Sequence, residues 1–243
     1  TTQSKMFHGV ASHSSAPHLG ENALVKMFEY LLMLPDTMNV MEMDGGINLN
    51  TVPSHAFLEL DMGVMIKNPI IKKIAAIYQA IKKLEKDFLL HKDMRFNPDT
   101  PTLNIGVVRT TESEIQILGS CRIPPVITHE IYEGWMKGLH DVCQEQGSNF
   151  KVNDYKKAFH ISEQSILVKG CLDELREMGL SDKVIAQAST NEASIFSRIG
   201  VDCVCFGAGK RESNLHTPNE NVAIADLEKA IEFYKRIIER FCL

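Results

Sequence analysis

A chain of 243 residues with 44% hydrophobic content has material for one large domain or two smaller ones with real cores. A net charge of −5 and a pI near 6.0 exclude a dedicated nucleic-acid binder, which needs a basic face. Apolar runs too short to span a membrane, and six cysteines without a C-x-x-C pair, point to a cytoplasmic protein with reduced, buried thiols.

In chain order, KMFHGVAS reads as the first strand. It runs into GVASHSSAPHLGENAL, where Gly20, Glu21 and Asn22 open a first helix with Leu24, Phe28, Leu31 and Leu32 on one stripe. MEMDGG and TVPSHAFLELDM follow as strands around a Gly-Gly turn. In the second helix Asn68 is the expected cap and Pro69 the first turn. Ile70, Ile74, Ile77, Ile81, Leu84 and Phe88 then recur at helical spacing. TLNIGVVRTTESEIQILGSCRI is a second hairpin broken at Thr-Thr-Glu-Ser. A third helix is expected from near Thr128 to Gly147, with Ile131, Trp135, Leu139 and Val142 inward, and NFKVNDYKKA reads as a strand. Hairpin-linked strands mixed with helices predict an α+β module, an antiparallel sheet with helices on one face.

After about residue 158 the pattern changes. A helix over about residues 162–178, a strand VIAQAS, a helix over 192–198, a strand VDCVCF and a final helix alternate as in a parallel α/β sheet. The final helix is expected to bury Ile224, Leu227, Ile231, Tyr234, Ile238 and Phe241. With about 85 residues and two evident strands, this piece reads as a partial α/β segment that completes a sheet whose other strands lie elsewhere.

Five places carry candidate chemistry. His216 ends the Gly-rich loop FGAGKRESNLHTPNE at the carboxyl end of a strand; it reads as a zinc ligand or as an exposed loop histidine. Gly207 and Gly209 in that loop allow backbone N–H groups close to an anion, and the GAGK run lacks the full phosphate-loop pattern. His13 sits in a Ser/Ala-lined turn, as a substrate contact or a polar turn residue. Asn50, in DGGINLNTVP, brings an amide near a cleft or merely serves a hairpin turn. Arg122, at a strand end in GSCRIPP, suits a carboxylate clamp. His91-Lys92-Asp93 has metal-like spacing yet reads as a solvated helix end, and His8 and His13 fall on opposite faces of an extended strand.

Together GVASHSSAPHLGENAL, GGINLNTVP and FGAGKRESNLHTPNE, with STNEASIF ahead of the last, resemble the zinc aminoacylase/carboxypeptidase G/acetylornithine deacetylase/succinyl-diaminopimelate desuccinylase metallopeptidase family. The resemblance implies a lid or dimerisation domain over residues 5–157 and the C-terminal segment of an α/β zinc-hydrolase domain over 158–243. It implies cleavage of the amide bond of an N-acyl amino acid or small peptide, two zinc ions (or another divalent metal such as cobalt), and a homodimer formed through the lid. His216 matches the family's last metal ligand, and His13 the lid histidine that reaches the partner subunit's active site. Asn50, Arg122, Gly207 and Gly209 match substrate-binding positions, Arg122 more loosely because this lid carries an extra helix and hairpin. The family's H-x-D strand, bridging Asp and Glu-Glu pair have no counterpart, no Glu-Glu occurs anywhere in the chain, and Asn191 stands where an acidic residue is usual. The expectation is a fragment inactive on its own, with a non-catalytic dimerisation or binding module as the alternative.

Overall fold

The computed structural model describes residues 1–35, 38–61, 63, 70–186, 191–209 and 220–243. They group into two compact units, Thr1–Tyr155 and Lys156–Leu243.

The first unit contains β1 (Thr2–His8), α1 (Ala23–Leu31), β2 (Asn39–Gly45), β3 (His55–Asp61), α2 (Ile70–Phe88), β4 (Thr102–Thr110), β5 (Ile115–Arg122) and α3 (His129–Glu145). The five strands form one antiparallel sheet in the order β1-β3-β2-β4-β5. Period-two alternation in β3 turns Ala56, Leu58 and Leu60 inward. They meet Leu24, Met27, Phe28 and Leu31 of α1 and Ile71, Ile74 and Tyr78 of α2, which builds the antiparallel sheet with helices expected from the sequence. Each leucine, isoleucine, methionine or phenylalanine among them contributes about 1.5–3 kcal/mol when fully buried, so this cluster is the main source of the unit's stability.

Local chemistry sets the helix boundaries. The Asn22 side chain accepts from the N–H groups of Leu24 (2.9 Å) and Val25 (3.2 Å), satisfying two donors that the first turn of α1 leaves open. Thr128 does the same for Ile131, and Gly147, at φ +63°, lies just past the other end of α3. Trp135 of α3 packs on Phe88 (ring centres 4.8 Å apart) and meets the ring of His91 edge-on at 5.4 Å. Of the α3 positions expected inward, Ile131, Trp135, Leu139 and Val142 are half-buried, whereas Tyr132 and Cys143 go deepest. The expected cap Asn68 and first-turn Pro69 lie outside the described residues.

Residues 149–158 do not form the expected strand. Lysine, asparagine and aspartate interrupt its apolar positions, and Tyr155 stacks face to face on Tyr132 at 4.1 Å instead of standing on a ladder.

The second unit contains α4 (Ile166–Glu177), α5 (Ala193–Arg198) and α6 (Ile224–Cys242). Ser165 caps α4 through the Val168 N–H, 3.3 Å away. Residues 201–206 run without helix or ladder, as do 184–186 of the other expected strand; 187–189 lie outside the described residues. A buried parallel strand exists only between neighbours, and none is found among the described residues of this unit. The final helix also corrects its expected face. Ile224, Leu227, Ile231, Tyr234, Ile238 and Phe241 are all more than a third exposed, while Ala230 and Phe233 are buried. Phe233 packs at a tilt on Phe206 (ring centres 4.1 Å apart) beside Cys171 and Leu175 of α4. Both stripes recur at helical spacing, and periodicity alone does not say which one meets a partner. Arg236 and Arg240 flank the buried Glu174 carboxylate at 3.6 and 3.0 Å, which offsets the cost of taking that charge out of water.

Candidate functional site

Three segments converge at one end of the first unit's sheet. After β1 the chain turns back along the loop between β2 and β3. Val52 donates its N–H to the Ser12 carbonyl and Ser14 to the Asn50 carbonyl, each at 2.8 Å, with His13 and Thr51 facing each other in the bridge between. Arg122 closes the group from the end of β5. One terminal nitrogen donates to Asn50 Oδ1 (3.2 Å) and to the Ser14 hydroxyl (3.3 Å). His13, Asn50 and Arg122, named from separate stretches of sequence, therefore sit in one hydrogen-bonded cluster.

The loop carrying Asn50 is fixed from beneath. Asn104, in the interior of β4 and 1% exposed, donates to the carbonyls of Leu49 (3.3 Å) and Thr51 (3.1 Å). Its own carbonyl oxygen accepts from Asn22, the cap of α1, at 3.1 Å. Ser120 of β5 adds a hydroxyl to the Leu49 carbonyl at 3.0 Å. Gly46 makes the crossing possible. It has φ +74°, and a Cβ there would stand 1.9 Å from the Gly106 carbonyl oxygen. Arg109 holds the same corner by pairing with Asp44 and donating to the Gly46 carbonyl. Sequence reasoning missed Asn104, although a side-chain amide among the apolar residues of TLNIGVV was the available signal, since a buried amide must find partners.

The electrostatics are specific. The Ser15 N–H donates to His13 Nδ1 at 3.1 Å, and the Ser15 hydroxyl stands 2.7 Å from the same nitrogen. A nitrogen that accepts from a backbone N–H carries no proton, so the neutral ring holds its proton on Nε2. Arg122 is half-buried; its recorded partners are an uncharged hydroxyl and an uncharged amide, and its Nε is buried without a partner. Burial lowers the guanidinium pKa, opposed by the neighbouring Cys121. A desolvated cation with neutral partners is a receptor for an anion, and its planar fork suits a carboxylate.

The other expected site residues fall in the second unit or outside the described residues. Gly207 and Gly209 belong to the second unit, exposed, and a Cβ at either would touch nothing. Nearby, an open cleft of about 510 Å³ is lined by Asn191, Cys203, Cys205, Phe206 and Tyr234 among others. Asn191 there donates to Cys205 Sγ at 3.0 Å and accepts from the Ala193 N–H. His216 lies outside the described residues. Asp93 is buried in a two-point ion pair with Arg95, 2.6 and 2.8 Å, which occupies it fully. No group of three histidine, cysteine, aspartate or glutamate side chains able to hold a metal occurs among the described residues, and no described helix is long and apolar enough to cross a membrane.

The family comparison falls on the same unit. Residues 2–87 match the M20 family of peptidase dimerisation domains. A Pyrococcus horikoshii protein described as a LysW-lysine/LysW-ornithine hydrolase is 30% identical over 88 residues, 36% of this chain and 27% of that protein. Its Pyrococcus abyssi counterpart is 26% identical over 97 residues, 40% of this chain and 28% of that protein. The crystal structure of the aminoacylhistidine dipeptidase from Vibrio alginolyticus superposes with a TM-score of 0.63 at 16% identity, covering 98% of this chain and 57% of that one. The match with the two Pyrococcus proteins spans little more than a quarter of their length, and the likeness to the dipeptidase 57% of its chain. Residues 2–87 thus carry the match to a peptidase dimerisation domain, and the dipeptidase likeness adds a shared fold.

Proposed function

We propose that this chain is the lid and C-terminal segment of a zinc-dependent amide hydrolase that cleaves an N-acyl amino acid or small peptide and works as a homodimer through its lid. The observation that carries this reading is the cluster in which Arg122 joins His13 and Asn50, the latter two within the segment that matches a peptidase dimerisation domain. His13, with its proton on Nε2, is the donor for the scissile carbonyl oxygen as negative charge develops there, acting in the partner's site. Arg122 and Asn50 orient the substrate, the guanidinium on its carboxylate and the amide beside it. Gly207 and Gly209 would add backbone N–H donors, and His216 is the metal ligand assigned to this chain.

The described residues do not by themselves fit a zinc centre. Zinc takes about four donors, and they contain no group of three. We assign the remaining zinc ligands and the general base to residues outside the described ones, and propose that the 243-residue chain alone is inactive.

The test is hydrolysis of N-acetyl amino acids and dipeptides. The isolated chain should show no turnover with added zinc; turnover abolished by a chelator would overturn the assignment. In the whole protein, His13→Ala should lower kcat by about 10²–10³-fold, as loss of one oxyanion donor does, and leave the dimer intact. Unchanged kcat would remove His13 from the reaction.

A further inference from the structure

The geometry points to a second metal-binding site, outside the cluster above: we propose that His8 and His55 together bind one transition-metal ion of the zinc, nickel or copper class. The two residues are direct partners across the antiparallel β1–β3 pair, at the last position of one strand and the first of the other. Opposed positions hold their Cβ atoms about 4.5–5.5 Å apart, so both side chains rise from the same face as a ready pair. The register is fixed on the open side by the Gly9 N–H, which donates to the Ser54 carbonyl at 2.8 Å. A Cβ on Gly9 would stand 2.0 Å from the Glu21 carbonyl oxygen, so glycine is required where the chain leaves the pair.

The ring geometry matches shared coordination. The imidazole centres are 5.2 Å apart with their planes at 86°. Two imidazoles on one tetrahedral ion, with metal–nitrogen bonds of about 2.0–2.1 Å, place their ring centres roughly 5 Å apart. Both side chains are exposed, so an ion and its remaining water ligands can enter. The Ser54 hydroxyl lies 2.9 Å from His55 Nδ1, the outer contact that fixes which nitrogen of a ligating histidine faces its metal. Lys26, whose Nζ donates to the His8 carbonyl at 2.9 Å, is neutralised by Glu21 at 2.6 Å. Two imidazoles without a carboxylate or thiolate select zinc, nickel or copper over magnesium and calcium.

Nickel is the probe, because it binds imidazole without oxidising the exposed cysteines. Calorimetry of the full 243-residue chain with Ni²⁺ at pH 8 should give one equivalent per chain, and the ion should raise the melting temperature by clipping an edge strand to its neighbour. His8→Ala and His55→Ala should each weaken that equivalent by at least about tenfold. His216→Ala, and His129→Ala as an exposed histidine elsewhere, should leave it intact. Both strand positions are exposed, so the variants should fold, which their melting without nickel would verify. Binding that survives His8→Ala and His55→Ala, or that is lost with His216→Ala alone, would overturn the proposal, as would no binding at millimolar Ni²⁺.

Discussion

The two units handle their apolar residues differently. In the first, strands and helices close on one another: Leu24, Met27, Met43, Leu58 and Val108 are fully buried, and every strand of the sheet has its partner. In the second, residues 201–206 lack a ladder and one stripe of α6 stays largely exposed, with Ile224 at 74% and Ile231 at 56%. The difference teaches that equally good helical periodicity accompanies two distinct outcomes. An apolar stripe becomes a core only where the chain also supplies the surface opposite it.

The largest expected effect tests that contrast directly. Leu24→Ala should destabilise the first unit by about 2–5 kcal/mol, whereas Ile231→Ala should stay within about 0.5 kcal/mol. Urea unfolding followed by Trp135, the only tryptophan, reads the first; amide exchange along α6 reads the second. A large loss at Ile231 would mean that its stripe is covered. Asn104→Ala comes next. It removes two loop bonds and leaves the Asn22 amide short of a partner, for an expected loss of about 1–3 kcal/mol. Faster exchange at the Ser14 and Val52 amides should accompany it, and unchanged exchange there would show that the loop holds without Asn104.

The helix caps sharpen the contrast further. Asn22→Ala should cost more than the roughly 1 kcal/mol expected for Ser165→Ala, because Asn22 caps α1 and also ties it to β4 through Asn104 and the Ile105 carbonyl. Equal losses in paired thermal melts would mean that the tie to β4 adds nothing.

The smallest effect is on pH. The Arg95 side chain holds the Asp93 carboxyl below its ordinary range, chiefly by hydrogen bonding. A depressed folded-state pKa favours folding above the ordinary carboxylate value near 4, and the contribution is lost as pH falls through the folded value. Between about pH 6 and pH 3, Asp93→Asn should therefore lose less stability than the parent chain. Identical pH profiles would remove this pair from the acid response.

Much of the first unit was legible because its signals are local. The Asn22 and Thr128 caps, the stripe of α2 and both strand pairs are written in contiguous residues. The second unit was read less well for the same reason. VDCVCF has the composition of a buried strand, but a strand is defined by its neighbours, and composition does not carry them. The candidate site was legible residue by residue and not as a constellation: nothing local says that Arg122 meets Asn50, or that Asn104 holds both ends of the loop between them. The two faces of α6 were confused because each recurs at the same spacing; what separates them is Phe206 packing on Phe233, a contact made from outside the helix.

The strand order has a consequence for the sequence of events in folding. β4 and β5 are joined by a short turn and can zip early, whereas β1, first in the chain, finds its place at the sheet's edge only by pairing with β3 some fifty residues on. The bond between Arg122 and Ser14 spans 108 residues of chain, so its loop closes late. His13 and Arg122 therefore come together only once the local hairpin and the distant edge strand have both docked. An intermediate with a formed hairpin and a loose first strand lacks the bond between Arg122 and Ser14, which makes that bond a late clock for the completion of the sheet.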